Sequence, residues 1–201
     1  VTFLRSLFGP SRDEIWSRLA TEVEGRFREG GWFESSKVEV DVGPWTVVLD
    51  TFTRSAGKSR TTYTRLRAPY VNPGRFRFQV SPQNFLSDLG RFFGMQDVAV
   101  GVPEFDAAWV VQGTDEARLR ELFADEDLRA LLRGAGPVSF EVRDDDGFFG
   151  RKFPQGVDEL VLTTRGTVKD LARLKVFFAL FAATLDRLVS MGAAERTDPG
   201  M

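Results

Sequence analysis

The chain of 201 residues contains no histidine and no cysteine. Those two absences exclude an imidazole general base, a thiolate nucleophile, a zinc site built on imidazole or thiolate, and a disulfide frame. Catalysis, if any, would rest on carboxylates, Lys, Arg, Tyr and hydroxyls. Tyrosine is scarce as well, with 2 residues against 19 Phe, so an aromatic interior would carry few hydroxyls. Excess positive charge is also lacking. The net charge is −2 and the pI about 5.4, which argues against a global pull toward nucleic acid or acidic membrane. No apolar run reaches the roughly 20 residues that span a bilayer; the longest covers 176–185. Residues 1–10 are too short and too broken to read as a signal peptide, and the chain does not begin with Met, so an upstream segment stays open. Freedom from cysteine fits a reducing compartment, and a cytoplasmic location is the expectation.

What is there is globular composition, 42% hydrophobic and 28% charged. The reading is an N-terminal extension (1–10), one α+β domain over 11–194, divisible into halves near 95–105, and a frayed tail (195–201). Ser11 followed by Glu14 forms a capping box. Trp16, Leu19, Val23 and Phe27 then recur at helical spacing up to Gly30-Gly31, so a helix is expected over 12–29. Period-2 alternation predicts strands at 38–42, 45–54, 60–68 and 75–80, punctuated by Gly43-Pro44, Ser55–Ser59, Pro69 and Asn72-Pro73-Gly74. Short connections predict antiparallel pairing of these four. Further elements are a helix at 83–93, a strand at 107–113, a helix capped by Thr114, a helical turn at 126–133, and strands at 138–143 and 158–165. A long final helix, capped by Thr167 and stopped by Gly192, completes the reading. The expected fold is an antiparallel sheet with helices packed on one side and that amphipathic helix as main lid.

Several motifs invite chemistry. Gly57-Lys58-Ser59 resembles the end of a phosphate loop, but Phe52 stands where the first Gly belongs and a strand pattern follows, so a hairpin turn is the reading. Asp144-Asp145-Asp146-Gly147 lacks the ligand spacing of a calcium loop and reads as a turn. No cofactor or metal site is read. Phe148, Phe149 and Phe153 beside Arg151 and Lys152 are expected to fold over a sheet end. Asp97, Glu104, Asp106, Asp115 and Glu116 offer carboxylates for a hydrolase or isomerase, though the last two suffice as helix-start residues.

From Thr51 to Ser87 no acidic residue occurs. Alternation puts Arg65 and Arg67 on one face of their strand and Arg75 and Arg77 on one face of the next. If these strands pair, four arginines share a face able to grip phosphates of nucleic acid or acidic lipid. The other reading is a face neutralised by Glu39, Asp41 and Asp50. In the last helix, Leu174, Phe177, Phe178 and Phe181 sit in an apolar stripe wide enough for self-association as well as sheet packing. The favoured function is therefore a non-catalytic binding or assembly module, forming a homodimer through this helix.

One resemblance adds to this. Residues 61–69 (Thr-Thr-Tyr-Thr-Arg-Leu-Arg-Ala-Pro), 86–90 (Leu-Ser-Asp-Leu-Gly), 93–97 (Phe-Gly-Met-Gln-Asp), 103–106 (Pro-Glu-Phe-Asp) and 111–116 (Val-Gln-Gly-Thr-Asp-Glu) resemble a family of bacterial hypothetical proteins of unknown function. The resemblance runs from Phe8-Gly-Pro10 to the last helix. It implies a soluble bacterial protein and brings no activity, cofactor or site.

Overall fold

The computed structural model describes residues 9–32, 34–83, 96–144 and 153–200. The expected helix over 83–93, the turn at Asp145–Gly147, and Phe148, Phe149, Arg151 and Lys152 lie outside these residues.

The fold is α+β, with nine strands in one antiparallel sheet among the described residues. The strands are β1 (Arg26–Arg28), β2 (Lys37–Val42), β3 (Trp45–Ala56), β4 (Ser59–Val71), β5 (Phe78–Pro82), β6 (Gln96–Asp97), β7 (Trp109–Gly113), β8 (Ser139–Arg143) and β9 (Val157–Arg165). They lie in the order β1-β2-β3-β4-β9-β8-β5-β7-β6. The helices are α1 (Arg12–Glu22), α2 (Pro103–Ala108), α3 (Glu116–Phe123), α4 (Glu126–Ala135) and α5 (Leu171–Ser190). No described helix is long and apolar enough to cross a membrane.

The capping box forms: Ser11 Oγ accepts from Glu14 N–H at 3.2 Å, and Glu14 Oε2 accepts from Ser11 N–H at 2.8 Å. Helix α1 stops at Glu22 rather than 29, because Glu24 is left-handed (φ 53°) and the chain turns there into strand β1. Phe27, which fitted the helical period, instead lies opposite Val38 in the sheet. Two caps move to aspartates. Asp115 rather than Thr114 caps α3, and Asp170 rather than Thr167 caps α5, each accepting from the N–H three residues on. The short α2, opened by Pro103, occupies part of the expected strand 107–113.

Pro69 does not break β4. It faces Glu159 of β9 just past Val48↔Arg67, where the described pairing of β4 with β3 ends, so the ladder on that side loses nothing to its missing N–H. The larger correction concerns β4 and β5, which do not pair. Residues 72–77 carry the chain past β9 and β8, and Asn72 stabilises the link by donating to Phe76 O and accepting from Phe76 N–H. Six residues reach about 20 Å, enough for three strand spacings of about 4.8 Å each. Short connections therefore required antiparallel directions but did not require adjacency.

One transverse row of the sheet, Val38-Leu49-Leu66-Leu162-Phe140-Val80-Val111, faces the helices and is buried throughout. Helix α5 packs on this row, with Phe181 and Phe140 rings 5.7 Å apart. Its flanks are covered as well: Val176 lies against Gly134 of α4, and Trp16 of α1 donates to Val168 O just before α5.

Candidate functional site

The sheet face opposite the helices is polar. A second transverse row draws one residue from every strand: Arg26-Glu39-Val48-Arg67-Val161-Glu141-Gln79-Gln112-Asp97. Period-2 alternation in nine strands makes this inevitable, since the same strands send Val38, Leu49 and Leu66 to the core. Within the row Gln112 donates to Asp97 at 2.7 Å, and Arg143, two residues along β8, pairs with Glu141. Gln79 Oε1, Gln112 Oε1, Ser81 Oγ and Thr163 Oγ1 are buried on this face with no hydrogen-bond partner among the described residues.

Toward β1 the face opens into a cleft of about 400 Å³ lined by Arg26, Lys37, Glu39, Thr46, Val48, Arg67, Pro69, Phe153 and Glu159. Its charges are layered. Glu39 sits among three cations, Lys37 at 3.0 Å, Arg28 at 3.1 Å and Arg26 at 3.8 Å. The side chains of Arg26, Lys37 and Arg67 are 53%, 35% and 29% exposed, against 12% for Glu39. Glu159 is 2% exposed. The carboxylates therefore form the floor, and the surface a ligand meets is cationic. Arg26 also holds Asp41 by a bidentate pair at 2.7 and 3.0 Å, which keeps the Asp41 carboxyl below the ordinary carboxylate range. Val48, Pro69 and Phe153 add an apolar wall.

The four arginines singled out from sequence are not brought together. Arg65 and Arg67 do share the polar face on β4. Arg65 forks onto Asp50 of β3 at 2.9 and 2.8 Å, and Arg67 reaches the same carboxylate at 3.3 Å. Arg75 and Arg77 lie in the 72–77 link that leads from β4 to β5, two strands that β9 and β8 separate. Arg75 is left-handed (φ 50°) and exposed. Arg77 bridges Asp144 at 2.8 Å and Asp158 at 3.5 Å. Of the self-association residues, Leu174, Phe177, Phe178 and Phe181 are all buried within the single chain.

Sequence reasoning missed Arg26 and Lys37 as cleft residues. Their alternation with Arg28 and Glu39 was present, but residues 26–28 were absorbed into the helical period of α1. A second charged cluster was also illegible. Asp158, directly opposite Tyr70, accepts from Asn72 Nδ2 at 2.6 Å. Burial pushes the Asp158 carboxyl up, against the pull of Arg77 and Asn72, and burial likewise raises the Tyr70 hydroxyl. Among the described residues no group of three or more acidic side chains could hold a metal ion. The acids proposed for catalysis are scattered. Asp97 holds Gln112, Asp106 accepts from Val100 and Gly101 N–H, and Asp115 caps α3.

No family model and no curated protein matches the chain. Among solved structures the chain is similar to the crystal structure of the mycobacterial trehalose monomycolate transport factor A, TtfA, with a TM-score of 0.47 and 9% identity, over 86% of this chain and 95% of that chain. A likeness of that size carries no argument about function.

Proposed function

We propose that the chain is a non-catalytic binding module whose polar sheet face receives a small anion with an apolar body. The layering of the cleft carries this reading: accessible cations from Arg26, Lys37 and Arg67 stand above occluded carboxylates, beside Val48, Pro69 and Phe153. The cations are held in place before any ligand arrives by Glu39, Asp41 and Asp50, which lowers the ordering cost of binding. A volume near 400 Å³ suits a small molecule.

Calorimetric titration with octanoate and with inorganic phosphate tests the reading. Octanoate is expected to bind saturably and more tightly than phosphate, because only octanoate uses the apolar wall. Lys37→Ala and Arg67→Ala should each weaken it about tenfold, equivalent to about 1.4 kcal/mol. Unchanged affinity in both variants would overturn the proposal. A turnover lost in Glu39→Gln or Glu159→Gln would replace binding with carboxylate catalysis.

A further inference from the structure

The polar face takes in only some of the basic stretch that runs without an acid from Thr51 to Ser87. Its distal part behaves differently. Strand β2 pairs with β3 only as far as Leu49, and β9 pairs with β4 only from Thr64. Strands β3 and β4 nevertheless continue to pair with each other out to Ala56↔Ser59. Beyond Thr62, whose carbonyl accepts from Gly166 N–H, the hairpin is a two-stranded arm, with no third strand on either edge among the described residues. At about 3.3 Å per residue it projects roughly 15 Å. Gly57 (φ 59°) makes the tight reversal possible.

Arg54, Lys58 and Arg60 on this arm are exposed, and none has an ion-pair partner among the described residues. That sets them apart from Arg65, Arg67 and Arg77, which carboxylates already hold. Arg54 lies over the Phe52 and Tyr63 rings, which stack across the strands at 5.3 Å and stiffen the arm's base. Because Arg54 lies opposite Thr61 and Ser55 opposite Arg60, the two arginines project from opposite faces, with Lys58 at the tip. The hydroxyls of Ser55, Ser59 and Thr61 supply further donors suited to phosphate oxygens, while those of Thr53 and Thr62 bond each other at 3.2 Å.

We propose that the β3–β4 arm inserts into a groove of duplex DNA and binds its phosphates without reading sequence. Cations on both faces and at the tip suit a groove with two phosphate walls, and a two-stranded ribbon fits the major groove. A flat anionic bilayer would meet one face, and Ser55-Ala56-Gly57-Lys58-Ser59 offers no large apolar side chain to bury in it. The acidic excess of the whole chain does not oppose this. Residues 97–127 hold nine carboxylates against two arginines, and they belong to β6, β7 and α2–α4 at the far side of the sheet.

Fluorescence anisotropy of a labelled mixed-sequence DNA duplex, titrated with the full chain, tests the arm. Saturable binding is expected, with log K falling against log salt at a slope of about −2.7, the value for three phosphate contacts at about −0.9 each. The triple variant R54A/K58A/R60A should lose at least tenfold in affinity with a melting temperature within a few degrees of the parent's, since all three side chains are exposed and only the ring contacts of Arg54 are lost. Lys37→Ala, in the separate cleft, should bind DNA as the parent does. Equal binding by the triple variant would overturn the proposal. So would capture by anionic vesicles with none by DNA, or salt-sensitive self-association that the triple variant removes, which would assign the arm to the acidic end of a second copy.

Discussion

Asp158 and Gly25 show how single positions are decided by their surroundings. Asp158 is a carboxyl on the core side of the sheet, and burial holds its pKa above the unfolded value despite Arg77. The folded state then binds the proton more readily than the unfolded state does. Stability is therefore highest below the unfolded carboxyl value and falls as pH rises through the folded one. Asp158→Asn should abolish that fall, so its stability relative to the parent should increase between acidic and neutral pH in urea titrations. A difference independent of pH would mean that Asp158 binds its proton equally well in the folded and unfolded states. Gly25 is a matter of space: a Cβ there would lie 2.7 Å from the Glu39 carbonyl oxygen, a backbone atom that cannot step aside. Gly25→Ala should cost about 1–3 kcal/mol in urea unfolding and loosen the β1–β2 pairing that places Arg26 and Arg28 around Glu39.

Helix α5 is the element whose role needed the tertiary structure most. Its stripe is wide because the helix is covered on more than one side, by the sheet, by α4 and by the α1 region, and this accounts for Leu174, Phe177, Phe178 and Phe181 together. Phe177→Ala should lower stability by about 3–5 kcal/mol, the usual cost of emptying an aromatic site. The loss should be the same at low and high protein concentration. A loss that grows on dilution would show these side chains to be shared between copies. At the start of the chain, Ser11→Ala removes the acceptor for Glu14 N–H and should cost about 1 kcal/mol by the same measurement.

Over the whole molecule, charge is separated although the net is only −2. The basic arm and the cleft lie on β1–β4, and the acidic excess lies toward β6, β7 and their helices. Local field, not net charge, governs adsorption to a charged matrix. The chain should therefore be retained on a cation exchanger at neutral pH and low salt, despite a pI of about 5.4. R54A/K58A/R60A should flow through, and retention by that variant would place the adhesive charge elsewhere.

Alternation and capping are local, and the sequence by itself determined what depends on them: an α+β fold, the Ser11–Glu14 box, the β2, β8 and β9 strands, the final helix, and Arg65 and Arg67 on one strand face. It also excluded imidazole and thiol chemistry outright. Adjacency is not local. Whether β4 meets β5 or β9 depends on which strands bury the most apolar surface together, and a six-residue link permits either. That single choice separated Arg75 and Arg77 from Arg65 and Arg67. It brought Glu159 beside Pro69, and left the far half of β3–β4 without a flanking strand among the described residues. Arg26 and Lys37 joined Arg67 in one cleft only because residues 26–28 left the helical period to pair with β2. Pairing partners lie far apart in the chain, and no short-range pattern encodes them.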